Sequence, residues 1–261
     1  MRLVTWNVNS IRLRLDGLAR LASATEVDVV CLQEIKADKT KFPFEAIRAI
    51  GFQYIEMEGF PGYHGVAILS KIPMERLESR DWCGKQDGRY VGAKLRNGFS
   101  IHNFYVPAGG DEPDPTINDK FRHKLDFLSE MAAWGEAQVN TDAILVGDLN
   151  VAPLPNDVWS HKALLKVVSH TPIEVDAIEK AQFSGRWVDL VRQQIPENVP
   201  LFSWWSYRSK DWEEANRGRR LDHIWGVGGA VNACTAATVL KEVRGWEKPS
   251  DHAPVMADFR D

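Results

Sequence analysis

Short apolar runs recur from one end of the chain to the other and predict β-strands. Two of them, Val27–Leu32 and Ala143–Val146, are almost continuously apolar rather than alternating, which is typical of strands covered on both faces. The runs predicted as strands are Leu3–Trp6, Val27–Leu32, Val66–Leu69, Ile101–Val106, Ala143–Val146, Leu221–Trp225 and Val255–Phe259.

Helical periodicity lies between these runs. One apolar helix face is formed by Ile11, Leu15, Leu18 and Ala22, and another by Phe121, Leu125, Leu128 and Ala132. Strands with helices between them predict a layered α/β or α+β fold. The pattern by itself leaves the packing of the sheets open.

The length and composition suit a protein with a substantial core. The chain has 261 residues, of which 44% are hydrophobic. It contains no internal repeat, low-complexity tract or Ser/Gly linker, and its clearest break, Ala108–Pro115, is predicted to be a long surface loop. We therefore expect residues 1–261 to form a single domain.

The cysteines and the N-terminus indicate a soluble protein of the reducing cytoplasm. Three widely spaced cysteines without a CxxC pair argue against a disulfide framework or a zinc site. The N-terminus lacks the apolar stretch of a secretion signal, and glycines divide the uncharged segment Ile224–Leu240 into strand, turn and strand rather than a membrane span. The net charge of −4 leaves a nucleic-acid partner undecided, because metal-dependent nucleases also need carboxylates.

Carboxylate and amide side chains recur where predicted strands end. Glu34 follows one buried run, and Asp148 and Asn150 follow another. Residues two apart in an extended segment face the same side, so Asp148 and Asn150 can reach one ligand. Asn7 and Asn9 repeat this spacing after the first strand. Singly, such residues are commonly turn formers or helix caps, but their number favours one cluster at a sheet edge.

Asp222 differs from these residues because it lies inside an apolar run. Burying a carboxylate without a partner costs several kcal/mol, so we expect a cation or a histidine beside it, although a structural ion pair would meet the same need. Asp251 and His252 precede the last predicted strand. His252 is a candidate partner for Asp222, although an isolated histidine is most often a hydrogen-bonded structural residue.

A cluster of this composition has a chemical use. Oxygen ligands without thiolates suit Mg²⁺, with Mn²⁺ as a substitute, better than zinc. Hydrolysis of a phosphodiester then needs a base for the attacking water, donors for the developing negative charge and a metal ion on the leaving oxygen.

The motifs that contain these residues resemble, in order and over essentially the whole chain, those of the exonuclease III family of AP endonucleases. They are Trp6–Arg12, Leu32–Lys36, His64–Ser70, Asn103–Pro107, Gly147–Pro153, Asn216–Asp222 and Lys248–Pro254. The combination is highly specific, although any one motif is not. The resemblance implies a four-layer α/β sandwich of the DNase I-like type, in which helices flank two packed mixed β-sheets.

The resemblance also implies roles for individual residues. The implied metal ligands are Asn7, Glu34, Asp148, Asn150, Asp251 and His252, and the implied catalytic residues are Tyr105, Asp148, Asn150, Asp222 and His252. By this resemblance, Glu34 would be the principal metal ligand, and Asp148 would orient or deprotonate the attacking water. Asn7 and Asn150 would hold the phosphate, and Tyr105 would contact it or the leaving side. His252 would donate to a phosphoryl oxygen while Asp222 fixes its tautomer and charge.

The segment Phe202–Lys210 places aromatic residues beside cations, and further arginines follow it. An aromatic ring can fill the gap left by a missing base, and arginines can hold phosphates. The predicted DNA-binding residues are Trp204, Arg208, Arg217, Arg219 and Arg220. The alternative is that the tryptophans belong to the core and that nearby acids cancel the basic charge.

The sequence departs from the family at two positions. Some relatives have an acid at the position of Asn9, so Asn9 weakens the case for a second metal site. Several have a longer amide at the position of Ala108, so Ala108 removes one possible DNA contact.

The resemblance implies a Mg²⁺-dependent DNA-repair nuclease, and we expect it to be a monomer. Its substrate is double-stranded DNA, cleaved 5′ to abasic sites and trimmed of nucleotides or blocking groups at 3′ ends. The same catalytic core also serves phosphoinositide phosphatases, sphingomyelinases, deadenylases and DNase I-like nucleases, with a different substrate rim. A second alternative is a non-catalytic DNA-binding module, which the retention of every acidic, amide and imidazole position opposes.

Overall fold

In the computed structural model, residues 1–137 and 141–260 are described, and within them twelve strands form two six-stranded mixed sheets. The strands are β1 Arg2–Asn7, β2 Val29–Gln33, β3 Tyr54–Glu58, β4 Val66–Ser70, β5 Met74–Arg76, β6 Tyr90–Leu95, β7 Ser100–Tyr105, β8 Ala143–Asp148, β9 Val188–Asp189, β10 Asp222–Val227, β11 Cys234–Val239 and β12 Val255–Phe259. The first sheet has the order β11-β12-β1-β2-β4-β3, and the second has the order β5-β6-β7-β8-β10-β9.

Eight α-helices lie within the described ranges. They are α1 Leu15–Thr25, α2 Phe44–Ile50, α3 Asp119–Glu136, α4 His161–Leu164, α5 Pro172–Ser184, α6 Leu190–Gln194, α7 Trp212–Ala215 and α8 Gly229–Ala233. Helices α1 and α2 share an apolar cluster with the first sheet, and α3 and α5 share another with the second. A third cluster fills the space between the sheets. These layers confirm the four-layer α/β sandwich.

The central strands explain why their sequences are continuously apolar. In β2, Val29 and Cys31 face the other sheet, whereas Val30 and Leu32 face the helical layer. In β8, Ile144 and Val146 likewise lie between the sheets, while Leu145 packs on the opposite face. Because successive side chains of a strand point to opposite faces, a strand buried on both sides is apolar along most of its length; the polar residues Gln33 of β2 and Asp148 of β8 come at the strand ends.

All seven predicted strands are present. The predicted helical faces lie on α1 and α3, which pack against a sheet, except that Ile11 lies in a short 3₁₀ helix before α1. The segment between β7 and α3 is a loop, as predicted. The segment Ile224–Leu240 forms the rest of β10, then α8 in place of a simple turn, and then β11. None of the helices in the described ranges is long and apolar enough to cross a membrane. Strands β3, β5, β6 and β9 were not predicted, because they are short, edge-lying or interrupted by polar residues and glycine.

The direction of the strands gathers the polar residues at one end of the sandwich. Strands β1 and β2 are parallel, as are β7 and β8, so the carboxyl ends of each pair lie together. Strand β10 runs antiparallel to β8, with Asp222 paired to Asp148 at this end. Gly147 allows β8 to approach β7, since a Cβ atom at Gly147 would lie 1.9 Å from the carbonyl oxygen of Phe104. The sheet edges therefore place the candidate residues side by side.

Candidate active site

Asn7 links the acidic residues of the two sheets. It ends β1 and is fully buried. Its Nδ2 donates hydrogen bonds to Oε1 of Glu34 at 3.0 Å and to Oδ2 of Asp148 at 2.9 Å. Glu34 follows β2 of the first sheet, whereas Asp148 ends β8 of the second. One amide group therefore fixes the relative position of two carboxylates that are far apart in sequence.

Glu34 lies in a polar pocket that keeps it ionised. Its backbone is left-handed (φ 49°), which turns the side chain out of the strand direction. The Tyr105 hydroxyl donates to Oε1 at 2.9 Å, and Lys36 Nζ lies 2.9 Å from Oε2. Burial by itself would raise the pKa of Glu34, but the hydrogen bond from Asn7 and the charge of Lys36 together lower it below its ordinary value.

A second set of contacts extends from Lys36 across the cleft floor. Lys36 Nζ also donates to Oδ1 of Asn9 at 2.6 Å, and Asn9 Nδ2 donates to Oδ1 of Asp251 at 3.2 Å. The other Asp251 oxygen accepts from Trp204 Nε1 at 2.9 Å. A cationic ammonium group thus already lies between the oxygens of Glu34 and Asn9. Carboxylate and amide oxygens without a thiolate fit a hard divalent cation such as Mg²⁺ or Mn²⁺.

Asp222 and His252 form the pair that the sequence predicts. The Nδ1 atom of His252 is 2.8 Å from Oδ2 of Asp222, which also accepts from the Ser203 hydroxyl at 2.6 Å. Burial would lower the pKa of His252, but the carboxylates of Asp222 and Asp148 outweigh it and raise that pKa to about 10. This pKa favours the imidazolium form near neutral pH, in which both ring nitrogens donate hydrogen bonds, and the role of His252 as a metal ligand stays a prediction.

Asp148 is buried at the centre of the site. Its Oδ1 accepts from the backbone N–H of Asn150 at 3.0 Å, and its Oδ2 lies 3.7 Å from Nε2 of His252. Burial raises the pKa of Asp148 above its ordinary value, against the lowering effect of His252. One possible ligand atom from each of Asp148, Asp222 and His252 lies within 4.8 Å of the other two. The hydrogen bond and charge of His252 nevertheless favour a chain of proton donors and acceptors at these three residues.

Tyr105 and Asn150 complete the predicted catalytic set. Burial, followed by the charges of Glu34 and Asp148, raises the pKa of Tyr105 well above its ordinary value, so its hydroxyl remains a donor. The Nδ2 atom of Asn150 donates to the carbonyl oxygen of Val106 at 2.9 Å. That contact fixes the side chain of Asn150 at the rim of the site, and its contact with phosphate stays a prediction.

The site lies in an open cleft of about 760 Å³. Four of the five predicted DNA-binding residues line it together with Glu34, Asp148, Asp251 and His252; they are Trp204, Arg208, Arg217 and Arg219. The Arg219 guanidinium lies 5.3 Å from the centre of the Trp204 ring, and that of Arg217 lies 5.0 Å from the centre of the Trp159 ring. The cleft therefore combines an acidic floor with an aromatic and cationic wall.

Arg220 does not belong to this wall, and its prediction as a DNA-binding residue is wrong. Its side chain is 1% exposed. It donates to both carboxylate oxygens of Asp157, at 2.9 and 2.8 Å, and to Oδ2 of Asp189 at 2.5 Å. Neighbouring side chains of an extended segment point to opposite sides, so Arg219 reaches the cleft while Arg220 enters the interior.

Several residues of the site were not assigned a role from the sequence. Lys36 lies within a recognised motif, so its nearness to Glu34 could have been inferred from their spacing. Ser203 and Trp159 belong to loops without a periodic pattern, and their positions depend on tertiary contacts with Asp222 and Arg217.

Comparison with known proteins agrees with this geometry. The endonuclease/exonuclease/phosphatase family model matches residues 4–252. Exodeoxyribonuclease III of Haemophilus influenzae is 29% identical over 273 residues, covering 100% of both chains. An AP endonuclease from Archaeoglobus fulgidus has a TM-score of 0.92 and 31% identity, covering 99% of each chain. The 3′ phosphatase NExo from Neisseria, bound to a product DNA hairpin, has a TM-score of 0.89 and 27% identity, with 100% of both chains covered.

Proposed function

The chain belongs to the endonuclease/exonuclease/phosphatase family and, within it, to the exonuclease III family of AP endonucleases, and we propose that its cofactor is Mg²⁺ and its substrate abasic or 3′-blocked duplex DNA. It is a hydrolytic DNA-repair nuclease. We further propose that residues 1–261 act as one domain and as a monomer in the cytoplasm.

The observation that supports this proposal best is the joining of Glu34 to Asp148 by Asn7 on the floor of a cleft walled by Trp204 and Arg219. The floor supplies oxygen ligands and proton acceptors, whereas the wall supplies an aromatic face and fixed positive charge. Phosphodiester hydrolysis requires the first set, and nucleic-acid binding requires the second.

The residues divide the chemical work between them. Glu34 and Asp251 would hold Mg²⁺, and Asn7 would keep Glu34 oriented; when bound, the ion would supply positive charge to the phosphate oxygens. Asp148 would accept the proton of the attacking water, and its raised pKa suits a base that works near neutral pH. His252 would donate from Nε2 to a phosphoryl oxygen as negative charge develops there.

Asp222 and Tyr105 support these steps. Asp222 would hold His252 in its protonated form through Nδ1, leaving the Nε2–H free to donate. The high pKa of Tyr105 keeps a hydroxyl donor next to Glu34. This donor would contact either the phosphate or the leaving side of the substrate.

The proposal is tested with matched duplexes that contain an abasic site, a 3′-phosphorylated nick or a blunt end, each with Mg²⁺, Mn²⁺ or EDTA. We expect cleavage next to the abasic site and removal of 3′ groups, both abolished by EDTA. Asp148→Asn should abolish all hydrolysis and spare DNA binding, because an amide cannot accept the proton of water. Asp176→Asn, on the exposed face of α5, is the matched control and should retain activity. Release of phosphate from an inositol lipid, without DNA cleavage, would assign the chain to another branch of its family.

A further inference from the structure

A fully buried ion pair lies behind the cleft and connects helices α3 and α5. The Nζ atom of Lys124 is 2.5 Å from Oε1 of Glu174, and both side chains are 0% exposed. A lysine in the interior is unusual, because removing its charge from water is costly unless a partner compensates. The mechanism proposed above does not use either residue.

Lys124 contacts the loop that carries Asn150, directly after Asp148, and the neighbouring loop at Ala108. Besides Glu174, its ammonium group donates to the carbonyl oxygen of Asn150 at 2.7 Å and to that of Ala108 at 3.3 Å. Asn150 has a left-handed backbone (φ 55°), a conformation that asparagine adopts more readily than most residues. The backbone N–H of Asn150 in turn donates to Asp148. The ammonium therefore fixes a left-handed turn directly behind the proposed base.

Glu174 holds a second turn that lines the cleft, at Ser169. Its carboxylate accepts from the backbone N–H of Ser169 at 2.9 Å and from the hydroxyl of Thr171 at 2.6 Å. Ser169 has a φ of 88°. The hydroxyl of Ser169 and the carbonyl oxygen of Val168 accept from Nη1 of Arg219, at 2.8 and 2.9 Å. The carboxylate therefore orders the backbone that places Arg219 in the cleft.

We propose that Lys124 and Glu174 are positioning residues that set the catalytic turn at Asn150 and the DNA-binding side chain of Arg219 in one fixed geometry. The inference rests on the proposed nuclease function. Neither residue lines the cleft, so both act through the residues that they hold. Stability alone is a weak reason for such a pair, since well-packed neutral side chains often replace a buried ion pair without loss. The hydrogen bonds from the pair to the turns at Asn150 and Ser169 supply a different reason for its presence.

The experiment compares three variants of the full chain: Lys124→Met, Glu174→Gln and the double variant. Lys124→Met removes the donor to Asn150, and we expect it to lower kcat on abasic duplex about 10- to 100-fold, as displaced supporting residues do. Glu174→Gln weakens the hold on Ser169 and Arg219, and we expect it chiefly to raise KM. The double variant removes both buried charges, so its Tm should recover relative to Lys124→Met while its kcat stays low.

Two core variants on the same helices serve as matched controls. Met131→Ala in α3 and Ile178→Ala in α5 remove buried apolar groups that do not contact the cleft. Both should lower Tm yet keep kcat and KM within about twofold of the parent when assayed well below Tm. Recovery of parental kcat in the double variant, or an equal loss of kcat in the controls, would overturn the positioning role.

Hydrogen exchange tests the same inference without relying on activity. Exchange of the amides at residues 149–152 and 168–171 should accelerate in Lys124→Met and Glu174→Gln, with the rest of α3 and α5 less affected. The controls should not show this local pattern. If the parent cleaves no DNA, the proposed function fails while exchange still decides the positioning role. If exchange at the two turns matches the controls, the positioning role fails regardless of activity.

Discussion

Replacing Asp222 by asparagine should remove the positive charge of His252 with little change in shape. The asparagine oxygen can still accept from Ser203, so the principal loss is the negative charge 2.8 Å from Nδ1 of the imidazole. At an effective dielectric constant of about 20, two unit charges at that distance interact by about 6 kcal/mol. Burial then opposes the imidazolium form, and the carboxylate of Asp148, 3.7 Å from Nε2, is the main charge left to support it. We expect a neutral imidazole at pH 7 in this variant.

The kinetic consequence follows from the lost donor. A positioned proton donor contributes about 10²- to 10⁴-fold to a rate, so Asp222→Asn should lower kcat by that order while leaving DNA affinity near that of the parent. The decline of activity at alkaline pH should also move to lower pH, because His252 loses its proton earlier. Ser203→Ala is the matched control: it removes a contact to the same Asp222 oxygen but keeps both charges, and its loss should be smaller.

The same pair should contribute to stability in a pH-dependent way. The pKa of His252 in the folded protein is about 10, above the ordinary value of 6.5, so the stabilisation is complete below pH 6.5 and is lost as pH rises through about 10. The difference in Tm between the parent and Asp222→Asn should therefore be largest at acid to neutral pH and shrink toward pH 10.

The decisive assay is a double-mutant cycle on kcat/KM with Asp222→Asn, His252→Asn and both changes, using abasic duplex. If the residues act as a unit, the double variant should be about as impaired as the worse single variant. Simple additivity of the two losses would refute the pairing. A His252 that stays protonated at pH 7.5 in Asp222→Asn, seen by NMR, would refute its electrostatic cause.

Three further predictions concern the metal site, substrate preference and the core. Glu34→Gln should weaken Mg²⁺ binding in calorimetry, because the amide lacks the charge that attracts a hard cation, and higher Mg²⁺ or Mn²⁺ should partly restore its rate; unchanged binding would show that Glu34 is not a ligand. Trp204→Ala should lose about 1–3 kcal/mol of preference for an abasic site over a normal 3′ terminus, whereas Trp204→Phe keeps a ring but not the bond to Asp251; equal losses on both substrates would contradict a pocket role. Arg220→Ala should lower the free energy of unfolding by about 3–5 kcal/mol in denaturant, because it leaves buried carboxylates without their cation. The salt dependence of DNA binding should stay that of the parent in Arg220→Ala, whereas Arg219→Ala should flatten it.

Local sequence was sufficient to predict the central strands and the helical faces. Strands such as β2 and β8 are almost continuously apolar up to their last residues, Gln33 and Asp148, because both of their faces are covered, and that signal survives in a single sequence. The polar residues at the strand ends could also be identified from the sequence, because they follow directly after apolar runs. The expected partner of Asp222 followed from elementary electrostatics, and His252 fills that place in the structure.

The tertiary structure decided which of these residues meet. Asn7 and Asp148 are 141 positions apart, and their hydrogen bond exists because two sheets pack with the carboxyl ends of their parallel strands at the same edge. The local pattern of apolar and polar residues does not determine how two sheets pack against each other. The resemblance to a known family implied the packing of the sheets, whereas periodicity left it open.

Only the tertiary structure could separate Arg219 from Arg220 and bury Lys124. Adjacent residues of an extended segment face opposite sides, but the sequence does not state which side is covered until Asp157 and Asp189 are brought beside it. Lys124 lies in an amphipathic helix where a lysine ordinarily marks the solvent face. Its burial depends on Glu174, 50 residues later, which supplies the compensating charge. Whether a charged residue is buried or exposed depends on the partners that compensate its charge, and residues far apart in sequence become partners only when the chain folds.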